Sequence, residues 1–468
     1  MGQHRTKPEQ TSGFPKGIPY ILGNEMAERF SFYGMKAILT VYMTQHLVDS
    51  MGEEATFNEE RAKAVYHTFT AWAYFFPLIG GLLADRFLGK YRAIITLSLG
   101  YLIGHACLAA GDTGFGRGML EPYQWLFIGL GFIALGAGGI KSCVSAHLGD
   151  QFGGQNKHLI SKVFSWWYFS INVGSAVSSI LTPWLLTEYG PAVAFGLPGI
   201  LMALALFSFW LGRNRYAHIP PTRVGYFDSV LDKQGLRALL NLTPVFLIFV
   251  PAFWALFDQT GSAWTIQAKS MDLQWMGRTW GEAQIQAANP ILILILIPTF
   301  TYAIYPAIDK LFRLTPLRKI GIGLFTTAGA FAITGWIETR IQAGELVNIQ
   351  WQLLAYVALT AGEVMVSITS LEFAYTQAPR KMKSLIMGIY FMGVFVGNMF
   401  TATVNGLLDS EEGQEPVLTL DGADYYWFFV KVMLAASVLF VVFAIFYKGQ
   451  TYMQDEDEQG EGEGASTA

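Results

Sequence analysis

Long apolar blocks recur along the whole chain, and they restrict its possible folds more than any other feature. Residues 192–211 and 427–447 are two examples, and each is long enough to cross the roughly 30 Å hydrocarbon core of a bilayer as a helix. Charged residues make up 14% of the chain and hydrophobic residues 52%, whereas a soluble globular protein has about 25% charged residues. The sequence therefore predicts an all-α integral membrane protein.

Charged and Gly/Pro-rich breaks divide the apolar residues into about twelve predicted spans, in two groups of six. The first group covers residues 20–48, 62–84, 92–110, 123–149, 162–187 and 192–212. The second group covers residues 243–267, 287–308, 319–338, 350–378, 384–407 and 425–447. We therefore expect one six-helix bundle at residues 20–212 and a second at residues 243–447.

Three further segments lie outside the two predicted bundles. The first is a polar N-terminal segment, residues 1–19, which lacks the apolar centre of a signal peptide. The second is a linker, residues 213–242, with a short amphipathic piece formed by Tyr226, Val230, Leu231, Leu236 and Leu240. The third is the acidic, Gly-rich tail, residues 448–468, which we expect to be disordered.

Basic residues crowd every second connection between the spans. If both termini lie inside, the inner connections hold 21 of the 31 Lys and Arg residues, while the last outer loop, residues 409–424, is acidic. This distribution follows the positive-inside rule, and an odd number of spans would disrupt it. We therefore predict a multi-pass protein of the cell inner (plasma) membrane, embedded in lipid, with both termini cytoplasmic.

Several functional classes receive no support from the sequence. The net charge is −4 without a basic run, which argues against a nucleic-acid partner. The two cysteines, Cys107 and Cys143, show neither CxxC nor His–Cys spacing, so no disulfide framework or metal site is expected. The chain also lacks a nucleophile elbow or a phosphate-binding loop. We expect neither an enzyme nor a bound cofactor.

The first span concentrates ionisable residues, which cost about 2.5 to 3.5 kcal/mol each inside a membrane on insertion scales. Glu25, Glu28, Arg29 and Lys36 follow the spacing i, i+3, i+4 and i+11, which places all four on one helical face. Tyr33 lies near the same side. This face is expected to point away from lipid, into a water-filled cavity or against other helices.

Two other spans carry charges that could complete such a cavity. Lys141 lies in the fourth span beside Gly136, Gly138 and Gly139, which permit close helix approach. A buried lysine needs an anion, and Glu363 in the tenth span is a better candidate than Glu372. Alternatively, these residues could form fixed structural salt bridges that only hold the helices together. Polar contacts between membrane helices contribute on average well under about 2 kcal/mol each, so helix association does not require this many charges. Three carboxylates and three cations on three spans therefore favour a charged cavity.

A loop between the second and third spans matches a known signature. The segment GGLLADRFLGKYR, residues 80–92, resembles the signature loop of the major facilitator superfamily. The corresponding loop of the second half, residues 309–319, keeps Asp309, Lys310 and Arg313 but not the glycine. The resemblance implies two related six-helix halves that rock about a central site.

Five blocks narrow this resemblance. They are E-x-x-E-R-F-S-F-Y-G (residues 25–34), GGIKSCVSAHLGDQF (138–152), FSINVGS (169–175), FWALFDQ (253–259) and GEVMVSITSLEFAYTQAP (362–379). In this order and on these spans, they resemble the proton-dependent oligopeptide transporter (POT) family from about residue 17 to residue 447. The chain lacks the large extracellular insert of the animal intestinal carrier and the two extra helices of many bacterial members, so its compact form suggests a prokaryotic member.

The resemblance implies roles for individual residues. Proton coupling is assigned to Glu25, Glu28, Arg29, Lys141, Glu363 and His67. Substrate binding is assigned to Arg29, Tyr33, Lys36, Tyr66, Tyr74, Lys141, Asn172, Trp254, Asn289, Tyr356 and Glu363. Gating is assigned to Lys36 and Asp258, and Asp258 could pair with either His67 or Lys36. Two positions depart from the family pattern: Lys36 stands where an arginine is usual, and Phe32 where a tyrosine is common.

The resemblance also implies a function. It predicts a monomeric symporter that takes up di- and tripeptides by alternating access, with protons as the coupling ion. Two alternatives stay open: the same fold could carry another small solute, such as nitrate, an amino acid or a peptidomimetic drug, or the protein could bind peptides as a sensor without moving them. The intact E-x-x-E-R motif argues for proton coupling but does not fix the substrate.

Overall fold

The computed structural model describes residues 5–221, 240, 242–377, 383–410 and 415–447. The helices of the first half are α1 (Ile18–Val41), α2 (Glu59–Leu83), α3 (Lys90–Gly111), α4 (Pro122–Gly149), α5 (Ile160–Tyr189) and α6 (Pro191–Leu211). Those of the second half are α7 (Leu242–Lys269), α8 (Glu282–Asp309), α9 (Pro316–Gln342), α10 (Gln350–Glu363 and its continuation Thr369–Gln377), α11 (Lys383–Leu408) and α12 (Ala423–Phe446).

These helices confirm the predicted spans. The largest difference is at the end of α1, which was predicted at residue 48: the α-helix ends at Val41, and a π-helical turn continues it to His46. In the described part of the chain, ten helices, α3 to α12, are long and apolar enough to cross a membrane. The remaining two, α1 and α2, are of similar length but less apolar, because they carry charged and polar residues such as Glu25, Glu28 and Arg29 in α1 and Lys63 and His67 in α2. Most of the linker's amphipathic piece and the whole acidic tail lie outside the described residues.

Local sequence signals explain where several helices begin. The side chain of Asn58 accepts a hydrogen bond from the backbone of Arg61 at the start of α2, and Thr315 does the same for Arg318 at the start of α9. Proline occupies the first turn of α4, α6 and α9, where its missing N–H is not needed. The helix boundaries thus follow capping chemistry as well as hydropathy.

Each half has its own apolar core. The buried apolar side chains form two large clusters, one drawn almost entirely from residues 18–216 and one from residues 242–440. In the first half, α1 packs on α5 and α6, and α3 packs on α4 and α6. In the second half, α9 packs on α10 and α12, while α7 packs on α11. The core pattern matches the predicted pair of six-helix bundles.

Glycine allows α2 and α4 to cross closely. A Cβ atom on Gly80 would lie 2.0 Å from the carbonyl oxygen of Gly139, and one on Gly138 would lie 2.7 Å from the carbonyl oxygen of Ala73. Neither distance leaves room for a side chain, because the obstructing atoms belong to backbone. The glycines around Lys141 therefore serve close helix packing, as the sequence predicts.

Polar contacts between the two halves are confined to one end of the bundle. Within the described part of the chain, every hydrogen bond and ion pair between the halves lies near the C-terminal end of α1 and the N-terminal end of α2; we call this the closed end. The contacts are Lys36–Asp258, Thr40–Gly261, Gln45–Glu282, Asn58–Asp409, His67–Asn398, His67–Ser262, Gln284–Ile180 and Gln286–Ala37. The two halves are therefore held together at this end.

Candidate functional site

The charged face of α1 is buried, as its spacing predicts. The exposed fractions of Glu25, Glu28 and Arg29 are 2%, 1% and 6%. The Nε atom of Arg29 donates a hydrogen bond to Glu25 Oε1 at 2.9 Å and lies 2.6 Å from Glu28 Oε2. The geometry of the Glu28 contact is that of an ion pair without a hydrogen bond. One guanidinium therefore neutralises two carboxylates, and the Glu28 carboxylate has no hydrogen-bond partner among the described residues.

Lys141 has a different environment from the predicted one. Its ammonium lies 4.1 Å from the centre of the Phe32 ring and 3.8 Å from that of the Tyr74 ring. Among the described residues it has no hydrogen-bond partner, so the expected pairing with Glu363 is wrong for this structure. The two residues lie in opposite halves, and among the described residues no hydrogen bond or ion pair joins α4 to α10. Aromatic faces attract the cation by about 0.5 to 2 kcal/mol each and leave its N–H groups free to bind an anion.

Glu363 is held by a neighbour in its own half. Asn289 of α8 donates a hydrogen bond of 2.7 Å to Glu363 Oε2 and one of 3.2 Å to the hydroxyl of Thr360. Glu363 is the last residue before a π-helical turn, Val364–Ile368, where α10 is locally widened. Its carboxylate makes no ion pair with any residue that the structure describes. It is therefore a positioned anion in the second half, without a cation of its own.

Tyr33 lies near charged residues of both halves. It lies within electrostatic reach of Arg29 and Glu28 in the first half and of Glu363 and Asp258 in the second. Tyr74 is near Tyr33, Arg29 and Asp258 as well. The predicted residues of α1, α2, α4, α7 and α10 therefore converge on one region between the halves, although they are far apart in the sequence.

The other predicted binding residues differ in their hydrogen-bond partners, and several of them are buried. Asn172 uses its Nδ2 to bond the carbonyl oxygen of Tyr168, one turn earlier in α5. Tyr66 and Tyr356 are 2% and 1% exposed, and the Tyr356 hydroxyl lies 3.5 Å from the carbonyl oxygen of Thr260. Trp254 is buried, and its indole N–H has no partner among the described residues. Tyr66 and Tyr356 thus border the closed end, and their predicted contact with a solute stays a prediction.

The predicted gate pair is formed. Lys36 Nζ lies 2.6 Å from Asp258 Oδ1, and both side chains are buried. The ammonium of Lys36 also lies 5.1 Å from the centre of the Tyr66 ring. Asp258 was predicted to pair with either His67 or Lys36, and in the structure it pairs with Lys36. Because the pair joins α1 to α7, it links the first half to the second.

Sequence reasoning missed Asn398 of α11, which joins this pair to His67. Its Nδ2 donates to Asp258 Oδ2 at 2.8 Å, and its Oδ1 lies 2.8 Å from His67 Nδ1. The other ring nitrogen of His67, Nε2, lies 2.9 Å from the hydroxyl of Ser262. Asn398 is not ionisable, so a search for charges inside the spans passes over it. The sequence feature that could have identified Asn398 is an amide side chain within an apolar span, because such groups form hydrogen bonds between membrane helices.

Known proteins with similar sequences are transporters. The family model described as the POT family matches residues 91–233 and 225–427. Peptide transporter 3 of Caenorhabditis elegans is 37% identical over 379 residues, which are 71% of this chain and 52% of that protein. Solute carrier family 15 member 2 of Mus musculus is 36% identical over 370 residues, 70% of this chain and 50% of that protein. The chain thus spans about half the length of these curated relatives.

Solved structures match over nearly the whole chain. The POT family transporter PepTSo is 36% identical, with a TM-score of 0.82 over 93% of this chain and 99% of that one. An auto-inhibited POT family peptide transporter is 33% identical, with a TM-score of 0.84 over 94% of this chain and 99% of that one. The twelve-helix architecture in two halves is thus the major facilitator fold of these transporters. On the family match and these similarities, the chain belongs to the POT family.

Proposed function

We propose that this protein is a proton-coupled symporter that takes up di- and tripeptides by alternating access. The observation that carries this proposal is the division of charge between the halves: the ammonium of Lys141, which has no hydrogen-bond partner among the described residues, and the separate carboxylate of Glu363. The names of the relatives, which include peptide transporters, support the same substrate class.

The charge division suits a zwitterionic peptide. A short peptide carries an ammonium and a carboxylate about 5 to 10 Å apart by chain geometry. Lys141 and Arg29 would attract the carboxylate from the first half, and Glu363 would attract the ammonium from the second. Such a peptide bridges the halves. Recognition of termini and backbone, with aromatic walls such as Tyr33 and Tyr74, would tolerate many side chains.

Proton coupling would use the contact between Arg29 and Glu28. Glu28 is held by an ion pair without a hydrogen bond, so protonation of this carboxyl removes most of what binds it to Arg29. Arg29 would then be free to bind the peptide carboxylate. Protons are thus the coupling ion, and the proposed mechanism uses no bound cofactor.

The proposed orientation places the closed end on the outer side of the cell inner membrane. Both termini then lie in the cytoplasm, consistent with the basic connections on that side. In this orientation the structure is the conformer that is closed to the outside. The complete set of charges lies within one chain, so we propose that the monomer is the functional unit.

The same site could serve another small solute with separated charges, such as an amino acid or a peptidomimetic drug. A site for nitrate would leave Glu363 without a role. A peptide sensor would bind dipeptides without net transport, so a flux measurement separates it from a carrier.

The test uses purified protein in liposomes. With an acidic exterior, uptake of labelled dialanine should be several-fold faster than without a gradient, and a protonophore should abolish the difference. Equal uptake in the three conditions would refute symport.

Glu28→Gln tests the coupling step within the same preparation. It should lower gradient-driven uptake far more than dialanine exchange across the membrane, because exchange needs no net proton movement. Equal losses in both assays would mean that Glu28 has no specific role in coupling.

A further inference from the structure

Five buried side chains form a continuous chain of polar contacts at the closed end. Their order is Ser262, His67, Asn398, Asp258 and Lys36. His67, Asn398 and Ser262 are fully buried, while Asp258 and Lys36 are 5% and 6% exposed. His67 and Lys36 belong to the first half and the other three to the second. The chain of contacts therefore exists only while the halves are closed at this end.

The orientation of the Asn398 amide follows from its partners. Its Nδ2 group lies 2.8 Å from Asp258 Oδ2 and 3.0 Å from the carbonyl oxygen of Val394, and both of these atoms are acceptors. The opposite orientation would direct an amide oxygen at a carboxylate and a carbonyl. The Oδ1 atom of Asn398 must therefore face His67 Nδ1.

This orientation determines which nitrogen of His67 carries the proton. An amide oxygen only accepts, so Nδ1 of His67 must donate to it across 2.8 Å. In the neutral ring Nε2 is then an acceptor, and it receives the hydroxyl proton of Ser262 across 2.9 Å. A second proton can enter the ring only at Nε2, where the Ser262 hydroxyl must turn and accept instead of donating.

We propose that Asn398 is a positioning residue, which holds His67 in the Nδ1–H tautomer and sets the pH at which the ring takes up its second proton. The proposal rests on the proposed proton-coupled function for its physiological meaning. Its structural part, the tautomer, does not depend on transport. The role of Asn398 is to connect the protonation of His67 to the Asp258–Lys36 pair, which His67 does not itself contact.

The direction of the effect follows from the charges around the ring. Asp258 is the anion near His67, whereas Lys36 and Lys63 are the nearby cations, and the ring of Tyr66 lies at 5.2 Å. A hydrogen bond from Nδ1–H to Asn398 Oδ1 becomes charge-assisted when the ring is protonated, and so favours the protonated form. Without Asn398, a more acidic solution is needed to protonate the ring.

The main test is Asn398→Leu, which removes the hydrogen bonds to His67, Asp258 and the Val394 carbonyl while keeping a side chain of similar branched shape. We expect the midpoint of the pH dependence of driven dialanine uptake to move to lower pH by roughly 0.5 to 1 unit. In a His67→Gln background, Asn398→Leu should move it no further. An unchanged midpoint in the single variant, or an equal shift in both backgrounds, would overturn the proposal.

Asn405→Leu is the matched control. Asn405 is a fully buried asparagine of the same helix, two turns from Asn398, and it bonds the carbonyl oxygen of Thr401 and the hydroxyl of Tyr425. It should lower thermal stability like Asn398→Leu but leave the pH midpoint in place. If it moves the midpoint equally, Asn398 is a structural residue only.

A second measurement needs no transport. Nitrogen-15 NMR of histidine-labelled protein in bilayers distinguishes the two neutral tautomers, and the His67 signal is the one that His67→Gln removes. Nδ1–H is expected in the native protein, and its loss in Asn398→Leu. An Nε2–H tautomer in the native protein would overturn the proposal. Liposomes that fail to transport, together with an Nδ1–H tautomer that depends on Asn398, would refute the proposed function while retaining this inference.

Discussion

At the scale of single residues, the contacts of Glu363 predict how its substitution changes the affinity for dipeptides. Its Oε2 accepts a hydrogen bond from Asn289, and it forms no ion pair in the described part of the chain, so it is available to a ligand ammonium. Glu363→Gln should weaken binding of dialanine by about tenfold to a hundredfold, the equivalent of roughly 1.5 to 3 kcal/mol for one charge-assisted contact. Binding of N-acetylated dialanine should change little. Competition against a labelled dipeptide measures both affinities.

Glu372→Gln is the matched control, since Glu372 lies on the same helix and is exposed. It should leave both affinities unchanged. If Glu363→Gln lowers the affinities for the free and acetylated peptides equally, Glu363 is structural and the proposed polarity of the bound peptide is wrong.

At the scale of helices, the close crossing of α2 and α4 predicts which glycine substitution lowers the stability of the protein. A methyl group on Gly80 would meet the backbone of Gly139, which cannot move aside like a flexible side chain. Gly80→Ala should therefore cost about 1 to 3 kcal/mol, as overpacking does elsewhere, and lower the thermal unfolding midpoint in detergent. Gly131→Ala is the control, because a Cβ there meets nothing within 4 Å, and alanine favours a helix. A midpoint for Gly80→Ala at or above that of the native protein would contradict the described crossing.

The same helices show what the sequence could predict and what it could not. Hydropathy and breaker residues located all twelve spans, because a membrane helix satisfies its backbone within itself. The spacing of Glu25, Glu28 and Arg29 predicted a shared face, since this is a property of one helix. The environment of Lys141 was not predictable in this way. Its aromatic neighbours come from α1 and α2, and which side chains meet between helices depends on packing and on the conformer. Asn398 was missed because its importance lies entirely in its partners on other helices.

At the scale of the whole molecule, the closed end ties the two halves together while the charges of the site remain divided between them. Within the described residues, all polar contacts between the halves lie at that end, from the Lys36–Asp258 pair to the Asn58–Asp409 hydrogen bond. Under the proposed function, the protein would alternate by breaking such contacts and forming others at the opposite end. A peptide that bridges Lys141 and Glu363 and a proton that releases Glu28 would each alter the balance between the two conformers.

If proton movement drives peptide movement, a proton gradient must be able to move dialanine against its own concentration gradient. Liposomes are prepared with the same dialanine concentration on both sides, and the exterior is then acidified by one pH unit. We predict net accumulation of dialanine inside, up to about tenfold for each coupled proton, because one pH unit corresponds to about 1.4 kcal/mol. A protonophore should return the two concentrations to equality. Dialanine that stays equal on both sides under the gradient, from protein that exchanges it readily, would contradict the account.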